Sequence, residues 1–146
     1  MSAAVEGDED EYVPLVIVDG ANVVGSVPDG WWKDRKAAAG RLRDALVPFA
    51  EQGLPRATGA PEWATRGPLD MLLVVEGKAR DLPEVPGVRV TSAPGSGDDM
   101  IVRLVTIEHD EVPERACLVV TADRGLRARV TPLGAAVVGP RAVRPR

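Results

Sequence analysis

The chain has 146 residues and a formal net charge of −4 at pH 7, with 45% hydrophobic and 27% charged residues. This is long enough for one domain with a real core, and its sign argues against nucleic-acid handling until the charge is located along the chain. Four apolar runs, at 15–18, 71–75, 117–120 and 135–138, are too short to span a bilayer, and no basic-then-apolar leader precedes them, so a cytoplasmic protein without a membrane partner is expected.

Five of the 22 acidic residues, Glu6, Asp8, Glu9, Asp10 and Glu11, fall within residues 1–12, which read as an acidic disordered leader. Subtracting them leaves 17 acids against 18 basic residues, so the remainder is near neutral. A single domain is expected over 13–140. Arg141, Arg144 and Arg146, set between prolines, read as a basic tail over 141–146 in preference to a phosphate contact. Three lysines against fifteen arginines, with abundant Ala, Val, Gly and Pro, point to a GC-rich bacterial genome. The single cysteine, Cys117, excludes a disulfide framework or a thiolate zinc cluster and reads as a small buried residue.

Continuous apolar strands separated by helix-period segments predict a parallel sheet covered on both faces, an α/β layer fold. The first strand, at 15–18, runs into Asp19, with Gly20 behind it allowing a tight exit. Trp31 and Trp32 read as a staple of the first helix onto the sheet, with stacking on bases as the alternative. Ala38, Leu42, Ala45, Leu46 and Phe49 then recur at helical spacing, and Pro48 marks where that helix kinks or stops. Residues 52–69 hold six Gly and Pro breakers. They read as a surface loop hiding a short helical turn in preference to an active-site flap carrying Arg56, Trp63 and Arg66. Further strands are predicted at 71–75, at 88–91 as an edge, at 117–120 and at 135–138. A helix with apolar face Ile101, Leu104 and Val105 follows the turn at 94–97, and a short helix covers 124–130.

Acids at the ends of the apolar runs carry the functional signal. In an open parallel sheet, residues past the carboxyl ends of the strands face one crevice. Gathering unpaired carboxylates there is costly unless a hard divalent cation sits among them. Asp19 is the first candidate, weighed against a turn aspartate. Asn22 is a candidate for orienting a ligand carboxylate or water, or an Asx-turn residue. Asp98 and Asp99 open a helix, where the dipole alone favours acids, and Ser96 offers a cap in their place. Asp123 follows the 117–120 strand, with Thr121 beside it as a hydroxyl partner and Arg124 as a phosphate contact. Glu76 repeats the acid-glycine exit at the second strand and ranks below the aspartates. Lys78 and Arg80, with Ser96 and Thr121, complete the candidate substrate contacts. His109, near a helix end among acids, reads as solvated.

Three motifs, Val16-Ile17-Val18-Asp19-Gly20-Ala21-Asn22, Gly97-Asp98-Asp99-Met100-Ile101 and Val119-Val120-Thr121-Ala122-Asp123-Arg124, resemble in order and spacing those of the YacP-like NYN domains of the PIN-like nuclease superfamily. The resemblance implies a Rossmann-like three-layer sandwich with strand order 3-2-1-4-5. It also implies a Mg²⁺- or Mn²⁺-dependent ribonuclease with Asp19, Asp98 and Asp123 as metal ligands. The chain departs from that pattern at Val75-Glu76-Gly77, where the family has Phe-Asp-Gly, and at Ala21, where it has tyrosine; the segment at 28–32 is not part of it. Expected chemistry is hydrolysis of RNA phosphodiester bonds by a metal-activated water. The alternatives are a nucleotide pyrophosphohydrolase or a noncatalytic RNA- or protein-binding domain. A haloacid-dehalogenase-type phosphatase would need an acid where Ala21 stands. RNA is the expected partner, with a homodimer or a ribosome or other protein partner left open.

Overall fold

The computed structural model describes residues 12–144; the five leader acids and Arg146 lie outside the described residues. Strands β1 (Leu15–Asp19), β2 (Asp70–Val75), β3 (Val88–Ser92), β4 (Cys117–Val120) and β5 (Ala136–Val138) form one sheet in the order β3-β2-β1-β4-β5. All four pairings are parallel. Four α-helices accompany it: α1 (Gly20–Gly25), α2 (Arg35–Gln52), α3 (Gly97–Glu111) and α4 (Arg124–Val130).

The continuous apolar strands follow from burial on both faces. Val16, Val18, Leu73 and Val75 point to the side packed by Val23 and Val24 of α1 and Leu42 and Leu46 of α2. Ile17, Leu72, Val74 and Val119 point to the side packed by Ile101 and Val105 of α3 and Leu126 and Val130 of α4. Both alternating sets of each strand are thus removed from water, which makes three layers. No helix among the described residues is long and apolar enough to cross a membrane.

Crossovers from β1 run to β2 on one side, and the chain later returns to β4 on the other. The switch point therefore lies between β1 and β4, the place where open α/β sheets carry their ligands past the carboxyl ends. Register places Asp19 opposite Val74 and Val18 opposite Val120, so the exits of all three central strands share one end.

Several expectations are corrected. No helix was expected at 20–25, yet α1 starts directly after its cap Asp19, and Gly20, expected to allow a tight exit, is its first residue. An added Cβ at Gly20 would stand 2.5 Å from the Val74 carbonyl oxygen, so the glycine is required by close approach of α1 to β2. We expect Gly20→Ala to cost about 1–3 kcal/mol through overpacking against backbone that cannot yield. A urea titration would read this as a lower midpoint; an unchanged midpoint would contradict the close fit. Pro48 neither ends α2 nor breaks it: the proline is exposed, and the helix continues to Gln52. It stops at Gly53, whose φ of 86° suits glycine and whose N–H reaches the Phe49 carbonyl. The 52–69 connection contains a single 3₁₀ turn at Glu62–Ala64 and buries Leu54 and Ala64, as the surface-loop reading has it. The segment beyond 140 is not a free tail, since Ala142 and Val143 are buried. Arg144 donates to the carbonyls of Val23 and Val24 and pairs with Asp29 at 3.1 Å.

Candidate active site

Asp19 closes β1 and is only 4% exposed. A carboxylate there loses most of its hydration, and burial pushes its pKa up to about 6; the carboxylates of Asp98 and Glu76 add to the rise. The Thr121 hydroxyl opposes it by donating to Asp19 Oδ2 at 2.8 Å. That hydroxyl also accepts the Asp123 N–H at 3.1 Å, so one side chain joins the exits of β1 and β4. Asn22 makes a second tie, its Oδ1 accepting the Ala122 N–H at 2.8 Å.

Asp123 is half-buried and caps α4, with Oδ1 accepting the Leu126 N–H at 3.0 Å. At the start of α3 the cap is Ser96, which accepts the Asp99 N–H at 3.1 Å. This frees Asp98 from capping. Its carboxyl is held above the usual range by burial first, then by Asp123 and Glu76, with Arg129 pulling the other way. Glu76, beyond the end of β2, accepts the Gly97 N–H at 2.7 Å through Oε1 and so satisfies a free amide of α3.

The fold thus brings acids from four separate segments toward one end of the sheet, with Asp19 within electrostatic reach of Asp98 and Glu76, and Asp98 within reach of Asp123 and Glu76. The opposite end of the sheet is handled differently. At the start of β2, Asp70 takes Arg115 at 2.6 Å and Arg89 at 2.8 Å. Although burial raises it, these two guanidiniums hold its carboxyl below the ordinary value. Arginines are available to this fold, yet the carboxyl-end acids are left largely unneutralised.

Other expectations fare unevenly. Asp99 is turned away: its side chain is 74% exposed and pairs with Arg129 at 3.1 Å. Arg80 spends its guanidinium on the carbonyls of Gly77 and Pro94, fastening the β2 exit to the turn before α3 instead of reaching for phosphate. Ser96 and Thr121, expected as substrate contacts, have their hydroxyls in the bonds above. Lys78 and Arg124 are exposed and make no hydrogen bond or ion pair with another described residue. His109 lies exposed in the last turn of α3, about 18 Å along the helix from the site. Cys117 is buried, and burial pushes its thiol up to about 11. Sequence reasoning passed over Arg127, which donates to the Thr121 carbonyl at 2.8 Å as α4 folds back on the β4 exit, and Arg129, which the packing of α3 beside α4 brings to Asp99.

Among the described residues, no three acids already stand close enough together to form a ready-made metal cage. The acids are hard oxygen donors linked through Asp98, and Glu76 and Asp123 are partly engaged by backbone amides. Such donors suit an ion that keeps several of its waters, as Mg²⁺ does, and takes one or two protein carboxylates at a time.

No protein-family model matches the sequence, and no curated protein matches it. Solved structures do. Rae1 (YacP) from Bacillus subtilis superposes with a TM-score of 0.63 at 18% identity, over 89% of this chain and 71% of that one. A single-substitution mutant of the same protein gives 0.62 at 18% identity, over 90% and 72%. With its α/β fold matching these structures across nine-tenths of its length, this chain has the YacP-like fold.

Proposed function

We propose that the protein is a Mg²⁺- or Mn²⁺-dependent ribonuclease that hydrolyses phosphodiester bonds in RNA. One observation carries the reading: at the carboxyl end of a parallel sheet, Asp98 lies within electrostatic reach of Asp19, Glu76 and Asp123, and none of these four carboxylates forms an ion pair with a described residue. An assembly that costs stability in the empty protein makes sense as a site for a cation and the phosphate that follows it. The three motifs resembling the YacP-like nucleases, and the fold shared with Rae1 (YacP), support the same reading.

Bound at these residues, the ion would supply a Lewis acid for the phosphoryl oxygens and lower the pKa of coordinated water. The protein's part is arrangement. Asp19 and Asp98 would be the primary ligands, with Asp123, whose Oδ1 accepts the Leu126 amide, as the third. Thr121 orients the Asp19 carboxylate, and Asn22 keeps the β4 exit against α1. Glu76 steadies the start of α3, which carries Asp98. Lys78 and Arg124 attract the phosphate backbone from the exposed edge. No protein nucleophile enters the reaction.

The test is incubation of structured and unstructured RNAs with Mg²⁺, Mn²⁺ or EDTA, with nucleoside triphosphates as rival substrates. We expect cleavage of RNA only with metal and a loss of about a thousandfold in Asp98→Asn, equivalent to roughly 4 kcal/mol of transition-state stabilisation. Asp99→Asn, altering a solvent-facing acid, should stay within about twofold of wild type. Cleavage that survives EDTA would overturn the reading. Triphosphate hydrolysis without RNA cleavage would replace it with a pyrophosphohydrolase.

A further inference from the structure

Beside the carboxylates lies a cavity of about 160 Å³, lined by Val24, Trp31, Ala39 and Ala79 together with Arg35 and Glu76. It is continuous with the acidic site: Glu76 belongs to both, and Gly20 and Ala21, which also line it, directly follow Asp19. Its shape has a local cause. Alanines stand at 21, 39 and 79, where larger side chains would fill the space. A mostly apolar concavity that opens to solvent and carries a few polar groups beside a candidate catalytic centre has the character of a small-ligand pocket.

The lining specifies the occupant's chemistry. Trp31 is half-buried against the core and meets Trp32 edge-on, with ring centroids 5.7 Å apart. The Arg35 guanidinium lies 5.4 Å from the Trp31 ring centroid, a cation–π contact that steadies the ring and adds hydrogen-bond donors to the cavity. Glu76 adds a carboxylate acceptor. An aromatic ring, small aliphatic side chains, a donor fork and an acceptor, next to a phosphodiester site, match a nucleobase, which offers flat π-faces and a polar edge. Packing alone does not account for Trp31, because the ring borders open space as well as core.

Building on the ribonuclease reading, we propose that this cavity is a base pocket: it takes one unpaired nucleobase of the RNA, next to the scissile phosphate, stacked on Trp31. The pocket would make cleavage depend on the identity of that base and restrict it to single-stranded segments.

The test uses an unstructured RNA with a mapped cleavage site, made with each of the four bases or an abasic ribose beside the cut bond. Wild type should lose about tenfold in kcat/KM on the abasic strand, mainly through KM. Trp31→Ala and Ala39→Met, the latter filling the cavity, should lose about tenfold on the base-containing strands and no longer distinguish the abasic one. Trp31→Phe, which keeps a stacking face, should retain most activity, and melting temperatures identify any variant that fails to fold. In EDTA, tryptophan fluorescence should be quenched by the base-containing RNA more than by the abasic strand, and Ala39→Met should abolish the difference. Metal-dependent cleavage with no abasic penalty, or with both variants within twofold of wild type, would overturn the pocket while leaving the nuclease intact. Absence of RNA cleavage by wild type would overturn both. Quenching by free ribonucleoside monophosphates as strong as by RNA would assign the cavity to free nucleotides and overturn the strand-binding proposal.

Discussion

Asp19→Asn should make the metal-free protein more stable at pH 7.5, by about 2 kcal/mol, while removing its nuclease activity. The folded-state pKa of Asp19 is about 6 against an ordinary 3.8. A rise of about two units means that the ionised form costs the fold roughly 3 kcal/mol at neutral pH. Asparagine carries no charge and keeps one oxygen to accept the Thr121 hydroxyl. Loss of a further acceptor offsets the gain by about 1 kcal/mol.

The sign with pH follows from the same shift. Between pH 3.8 and about 6 the folded protein holds a proton at Asp19 that the unfolded chain has released. Stability from the protonated group is therefore fully present below pH 3.8 and is lost as pH rises through about 6. Asp70 works oppositely: its pKa is depressed, so its contribution is present above the unfolded value and is lost as pH falls through the folded one. Denaturant titrations of wild type and Asp19→Asn in EDTA at pH 4, 5, 6 and 7.5 would separate the two, because Asp70 is common to both proteins. The stability difference should be smallest at pH 4 and grow in favour of the variant up to about pH 7. A variant less stable than wild type at pH 7.5 would show that Asp19 holds the fold together instead of straining it.

Much of this site was legible because strand exits are marked locally. A buried run ending in Asp-Gly, or in Thr-Ala-Asp, announces both the strand and the residue past its end; β1 and β4 were read this way. Choosing between Asp98 and Asp99 was not possible on that basis. Successive helical residues point about 100° apart, so the choice depends on which way α3 faces the sheet. Helix α1 was hidden for a different reason: six residues, Gly20–Gly25, with a glycine at each end and two valines, have neither the length nor the propensity of a helix. It is held by burial of Val23 and Val24 and by Arg144 on its last carbonyls. The cavity beside the acids was equally invisible, since the small residues that leave it open, Ala21, Ala39 and Ala79, come from three distant segments.

Mn²⁺ should raise the melting temperature of the wild-type protein, and do so far more at pH 8 than at pH 5. An ion that enters among Asp19, Asp98 and Asp123 must find carboxylates, and at pH 5 a group with a pKa of about 6 is mostly protonated, so binding has to expel that proton. Asp98, also raised by burial and by Asp123 and Glu76, shifts the dependence in the same direction. At an ion concentration a hundredfold above Kd, linkage adds about 2.7 kcal/mol to the folded state. For a chain of this size that is roughly 5–10 °C at pH 8. The same ion relieves the repulsion that Asp19→Asn removes chemically, so the variant should gain little from it, and Asp98→Asn should lose most of the shift as well. Asp99→Asn should keep it, because that carboxylate faces solvent and Arg129. Thermal scans at matched ionic strength, with NaCl replacing the manganese salt, separate site binding from general screening of the acids. An equal rise in NaCl, or a rise undiminished in Asp98→Asn, would mean that the carboxylates respond only to bulk salt and hold no ion of their own.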